Sequence, residues 1–291
     1  MNSTLSKIGK KADLLAAGGV VLVVAMLIIP MPPLLIDFFI TLNISAALMI
    51  VVATMYVPRA LDFSSFPTIL LLTTLFRLAI NVSVTRLILL EGDAGHVVEA
   101  FGNFVVGGNV VVGLVIFLIL IVIQFVVIVN GAGRVAEVGA RFTLDAMPGK
   151  QMSIDADLNA GTIDEQQART RREQVRQEAE FYGSMDGAIR FTQRDSIAAL
   201  LITAVNIVAG LIIGIVQFDM ELADAARTFT ILTVGEGLVT AIPALLVAMA
   251  GALITTRASS QSSLGEDVTR EAVIVDLAIP RVVPRLATPA R

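Results

Sequence analysis

No cysteine occurs among the 291 residues, and His96 is the only histidine. Disulfides and thiolate metal sites are therefore excluded, and no histidine cluster can hold a transition metal. Tryptophan is absent too, and charged residues make up only 16% of the chain, against about a quarter in soluble proteins. A formal net charge of -4 gives no reason to expect nucleic acid as a partner. Catalytic motifs are also missing. Pro148-Gly149-Lys150-Gln151 resembles the end of a phosphate-binding loop, but Leu144 stands where the first glycine belongs and Gln151 replaces Ser or Thr. Asp155 and Asp157 begin like a calcium loop, yet Gly161 falls at the seventh position and Gln166 at the twelfth. With no Ser-His or Cys-His pair to assemble, the expectation is a protein that is not an enzyme and uses neither cofactor nor metal.

What is abundant is hydrocarbon. Hydrophobic residues reach 56% and mean hydropathy is +0.83, so membrane lipid is the expected surrounding. A bilayer core needs about 20 apolar residues per helix. Six stretches meet this, at about 12–32, 34–57, 66–90, 104–130, 196–218 and 229–256. The fold class expected is an all-α integral membrane protein of six transmembrane helices, with a charged cytoplasmic loop between the fourth and fifth. Lys7, Lys10 and Lys11 precede the first span, but Pro30, Pro32 and Pro33 follow it without a cleavage pattern, so it should stay as a span. Those lysines, Arg59 and nine Lys or Arg between Arg134 and Arg194 place the N-terminus and the charged loop in the cytoplasm. The segments 91–103 and 219–228 are poor in cations and read as the opposite loops, which leaves both termini cytoplasmic. Within the charged loop, Thr162 to Glu165 reads as a capping box, opening a helix with pairs Glu165–Arg169, Arg169–Glu173 and Arg176–Glu180.

Ionisable groups inside spans cost about 2.5–3.5 kcal/mol each on insertion scales. Arg77 and Arg86 both lie in the third span, nine residues and so about half a turn apart in direction. Arg86 is close enough to the end to snorkel, whereas Arg77 needs a carboxylate. Asp37, Asp195 and Glu236 are the candidates, and Asn43, Asn81, Gln124 and Asn206 add polar groups at membrane depth. Together they are candidates for an ion path with a desolvated carboxylate as carrier; for the amides, interhelical hydrogen bonding is the favoured alternative. Gly210 and Gly214 form a GxxxG, and Pro243 is placed to kink the last span about one turn past Glu236.

Four runs are distinctive: Asp62 to Thr68, Phe76 to Arg86, Ala140 to Gly161 and Phe181 to Ala188. Through them, residues 12 to 270 resemble the FHIPEP family of membrane export gates, which serves flagellar and injectisome type III secretion. The resemblance implies a homo-oligomeric ring in the bacterial cytoplasmic membrane that joins other export-apparatus membrane proteins. It also implies passage of unfolded subunits coupled to proton motive force. The family's charged positions fall on Asp37, Arg86, Arg134, Arg141, Asp145, Asp195 and Glu236, with Asp195 and Asp145 the most sensitive; Lys150 and Asp186 lie in the matched loop. The domains implied are 1–130 with four spans, 131–195 as the cytoplasmic FHIPEP loop, 196–257 with two spans, and 258–291 as an atypical, disordered tail.

The chain departs from the family pattern at Glu236, where members carry Asp, at Ala241, where they carry Gln, and at Arg190, where they carry Lys. The family's last two helices and its cytosolic domain, which docks substrates and chaperones, have no counterpart after Arg270, so a truncated or frame-shifted copy is expected. The stretches Ser153 to Gly161 and Ser259 to Arg270 lean toward the flagellar members. An injectisome gate, a non-functional fragment and an ion-coupled small-solute transporter are the alternatives, the last of which leaves the charged loop unexplained.

Overall fold

The computed structural model describes residues 17–106 and 108–257. Lys7, Lys10, Lys11, both termini and the 258–291 tail lie outside the described residues. All regular structure among the described residues is helical. The elements are α1 (Ala17–Ile28), α2 (Pro33–Tyr56), a 3₁₀ turn (Ala60–Phe63), α3 (Phe66–Glu91), α4 (His96–Val106), α5 (Val110–Val122), a π-helical stretch (Ile123–Val129), α6 (Asn130–Asn159), α7 (Glu165–Val216) and α8 (Leu222–Thr256).

Local chemistry sets the boundaries. Pro33 and Pro67 open α2 and α3, where a missing N–H costs nothing. Gly92, at φ +64°, closes α3 in the left-handed conformation that glycine adopts without strain. The Asn109 side chain accepts hydrogen bonds from Val111 N–H and Val112 N–H to start α5. The capping box of α7 differs from the expected one by two residues. Asp164 is the cap and Gln167 its reciprocal partner, because the Asp164 carboxylate reaches Gln167 N–H at 2.6 Å.

Among the described residues, five helices are long and apolar enough to cross a membrane: α2, α3, the run Val110–Asn159, α7 and α8. The expected first span is represented by α1, a shorter apolar helix that starts at the edge of the described residues. Three readings of the spans are corrected. The segment 91–103 is not simply a loop, since α4 occupies most of it and is held against α8 by apolar packing of Val98, Val106 and Val234. The last helix begins at Leu222 rather than at 229, because Ala225 and Phe229 pack inside the bundle. The charged helix is not a separate element either: α7 runs unbroken for 52 residues from the polar segment through the apolar one. Pro243 likewise sits inside α8 without ending it.

α8 is the central element, touching α2, α3, α4, α5, α6 and α7. Small residues permit this. A Cβ on Gly102 would strike the Ile231 carbonyl and one on Gly235 would strike that of Val98, so α4 and α8 touch backbone to backbone. The Gly210 and Gly214 groove of α7 receives the ring of Phe229. By contrast only Gly113 and Phe117 of α5 are fully buried, Val110, Leu114 and Ile121 pack partly against them, and the remaining Val, Ile and Leu face outward.

α6 and α7 form a long antiparallel hairpin. Ala132, Gly133, Ala136 and Ala140 bury one face of α6, and Arg171 and Arg172 cross to Asp157 and Asp155. Of the helical pairs expected along α7, Arg176–Glu180 forms at 3.7 Å, but Arg176 also holds Glu173 at 2.8 Å.

Replacing Gly235 with Ala should destabilise the purified protein by about 1–3 kcal/mol, because the new methyl meets backbone. Gly187→Ala, at a helical glycine with open space around it, should instead be neutral or stabilising by about 0.5–1 kcal/mol. Thermal unfolding in detergent reads both, and equal effects would contradict the packing described.

Candidate functional site: a buried polar column

α3 carries Thr74, Arg77, Asn81 and Thr85 at spacings of three, four and four residues, which puts all four on one stripe of the helix. That stripe faces α7 and α8. The hydroxyls of Thr74 and Thr192 lie 3.1 Å apart. One turn further, the Arg77 guanidinium holds the Asp195 carboxylate, with Nε donating to Oδ2 at 2.8 Å. Both side chains are 4% exposed. Next, Thr240 Oγ1 donates to Asn81 Oδ1 at 2.6 Å. Finally Thr85 Oγ1 donates to Glu236 at 2.8 Å, and the Asn206 amide donates to the other oxygen of the same carboxylate. From Thr74 to Thr85 the column covers about 16 Å of helix axis, roughly half a bilayer core.

A cavity of about 40 Å³ adjoins the column, lined by Asn81, Gln124, Ser196, Thr203, Glu236 and Thr240 among others. That is room for about two or three waters, and the lining offers several polar partners to each. Among the described residues, three buried oxygens lack a protein partner: Asp195 Oδ1, Asn206 Oδ1 and Thr233 Oγ1. A buried acceptor without a protein partner is what water or a passing cation would satisfy. The arrangement offers two buried carboxylates, one held by a cation and one by neutral donors, with the Asn81–Thr240 pair at the level of α3 between them.

Two expected path residues stand elsewhere. The Asp37 carboxylate accepts from His96 N–H at 3.1 Å and Val97 N–H at 3.0 Å, so it caps α4 from a distant helix. Gly95 is needed there, since at φ +81° a Cβ would collide with that carboxylate. Arg86 donates to the carbonyls of Ile28 and Leu27, closing the C-terminal end of α1. Arg134, Arg141 and Asp145 sit on exposed positions of α6, outside the column. Lys150 pairs with Glu178 at 2.6 Å across the hairpin, and Asp186 pairs with Arg190, which also reaches Glu137. Neighbouring carboxylates hold the exposed guanidiniums of Arg59, Arg176 and Arg190 above their ordinary pKa, by accepting hydrogen bonds from them at Asp62, Glu173 and Asp186 respectively.

Thr74, Thr85, Thr192 and Thr240 were not singled out in the sequence. Their signal was the polar period along α3; threonine is common enough in apolar helices for single cases to pass unnoticed. Asn81 and Asn206 do make the interhelical hydrogen bonds expected of amides.

A multi-pass membrane protein with charged groups paired in its interior is the class these features define. The chain belongs to the FHIPEP family, whose pattern matches residues 23–279. That match starts later and ends later than the resemblance read at 12 to 270. Flagellar biosynthesis protein FlhA of Bacillus subtilis is 59% identical over 257 residues, covering 88% of this chain and 38% of the relative. FlhA of Salmonella typhimurium is 52% identical over 254 residues, covering 86% and 37%. Low calcium response locus protein D of Yersinia pestis is 50% identical over 271 residues, covering 92% and 38%. The chain thus spans little more than a third of the length of these curated relatives. No solved structure matches it.

Removing one partner of a buried ion pair leaves an uncompensated charge, whereas removing both leaves an apolar contact. Arg77→Met should therefore cost about 3–5 kcal/mol in the purified protein, and Arg77→Met with Asp195→Leu should recover most of it. A double variant no more stable than the single would argue against the pairing.

Proposed function

We propose that this chain is the membrane portion of a flagellar type III protein-export gate, set in the bacterial inner membrane as a homo-oligomeric ring with other export-apparatus membrane proteins. In this reading the Thr74–Glu236 column carries the ion flow that couples proton motive force to transport of unfolded subunits. The observation that carries it is the buried Arg77–Asp195 pair on the same stripe of α3 as Asn81 and Thr85, whose partners Thr240 and Glu236 line a polar cavity, in a member of this family. Asp195 and Glu236 are the ion-handling groups, and Arg77 pairs with Asp195. Asp37 and Arg86 position α4 and α1. Arg134, Arg141, Asp145, Lys150 and Asp186 belong to the α6–α7 hairpin, which faces the cytoplasm because Arg59 and the cation-rich hairpin lie at the same end of the helices. Export substrates and chaperones are the further partners in this reading, docking on a cytosolic domain. The chemistry is transport, not catalysis.

The flagellar assignment follows the 59% and 52% identities to FlhA proteins. An injectisome gate is the second reading, favoured by 50% identity over 92% of the chain to the low calcium response protein.

The test joins this chain to the remainder of the Bacillus subtilis relative and expresses it in a strain lacking its own gate. Motility and secreted flagellar subunits should return, and Asp195→Asn and Glu236→Gln should each abolish both while membrane levels stay normal by immunoblot. Normal export by both variants would overturn the ionic role of the column.

A further inference from the structure

Where the 3₁₀ turn after α2, the end of α8 and the α6–α7 hairpin meet, the structure has an open cleft of about 790 Å³. Its lining is cationic. Arg59, Lys150, Arg171 and Arg257 face it against two carboxylates, Asp62 and Glu178. The depth of the cleft is fixed by chain position: Arg59 lies three residues past the end of α2 at Tyr56, and Arg257 is the cap residue of α8. Two spans therefore end at the level of this cleft. Immediately beneath it Phe66 is fully buried and Phe181 and Met185 close the core, so the cleft sits at the rim of the apolar slab. Leu61, Ile154 and Val175 give it an apolar floor and Tyr182 adds a hydroxyl.

We propose that this cleft seats the phosphodiester headgroup of an anionic phospholipid drawn from the adjoining leaflet. The cations are accessible: the side chains of Arg59, Lys150 and Arg171 are 66%, 43% and 51% exposed. Each is held by a carboxylate at the surface, and such exposed pairs are weak, about 0–1 kcal/mol. A phosphodiester can therefore join them, since arginine offers five N–H donors and a planar fork suited to phosphate oxygens. Arg257 is anchored by donation to the Met55 carbonyl, which fixes its charge beside the end of α2. Position selects lipid over soluble phosphate, because a cleft opening at the rim of the slab receives the headgroup while the acyl chains remain in hydrocarbon. Which leaflet supplies the lipid rests on the orientation proposed above; the binding itself does not.

The test uses the full chain purified in mild detergent. Retained lipid is measured by native mass spectrometry, and thermal stability is followed on adding phosphatidylglycerol, phosphatidylcholine or inorganic phosphate. The variant is Arg59→Gln/Lys150→Gln/Arg171→Gln, and the control removes equal charge outside the cleft, as Arg169→Gln/Arg172→Gln/Arg176→Gln. A basic side chain near an anionic lipid contributes about 1 kcal/mol, about fivefold in affinity. The cleft variant should thus lose phosphatidylglycerol binding by about tenfold to a hundredfold, and the control by no more than about twofold. Phosphatidylcholine should neither bind nor stabilise. Equal losses in both variants would reduce the effect to general charge attraction and overturn the site. So would unchanged binding in a folded cleft variant. Stabilisation by inorganic phosphate as strong as by the lipid, and lost in the same variant, would overturn the lipid assignment. Export assays play no part, so failure here and failure of the gate reading remain separate results.

Discussion

A charge inside hydrocarbon must find its opposite, and in this bundle that requirement decides which helix lies against which. Arg77 is near the middle of α3 and buried, so Asp195 of α7 must stand beside it. The Thr74–Thr192 and Arg77–Asp195 contacts share one sequence offset, 118 residues, so α3 and α7 run parallel and in fixed register. α8 then passes antiparallel to both, bringing Glu236 to Thr85 and Thr240 to Asn81. Slipping α3 by a single residue would turn Arg77 by 100° and strand it against apolar side chains. Dispersion alone gives no such discrimination between registers, since lipid tails are as apolar as the helices.

The charges at the far ends of the bundle do different work. Asp37 satisfies two N–H groups at the start of α4, and Arg86 satisfies carbonyls at the end of α1. Both are unsatisfied backbone positions close to hydrocarbon, where water is too scarce to serve. Sensitivity of either residue to substitution therefore has an architectural explanation that requires no ion to pass.

Much of this was legible in the residues. The length of each apolar run gave the positions of α2, α3 and the last part of α7, and the need of Arg77 for a carboxylate was a statement about energy that required no coordinates. Asp195 was among three candidates. What selected it was the register of two helices more than a hundred residues apart, and no local pattern encodes that. The α4 helix was hidden because His96 to Val106 is too short to span a membrane and lies in a stretch that reads as a polar loop; its burial depends on Gly102 meeting α8. The shift of the α7 cap from Thr162 to Asp164 has a similar cause. Two overlapping capping patterns were present, and the turn at Gly161 decided between them. The threonines of the column were overlooked because a hydroxyl matters only when a partner is opposite it.

The length of α7 without interruption has a mechanical meaning. From Asp195 back to Glu165 is about 45 Å of continuous helix, and from Asp195 onward to Val216 is about 30 Å. Asp195 is thus a fulcrum on a single stiff rod, whose longer arm runs through the core from Thr192 to Phe181 and on to the hairpin end. A tilt of about 5° at that point, from any rearrangement of the ion pair, would swing the hairpin end by about 4 Å, by lever geometry on these arm lengths. Charge displacement too small to open a pore would in this way become a movement large enough for another molecule to feel.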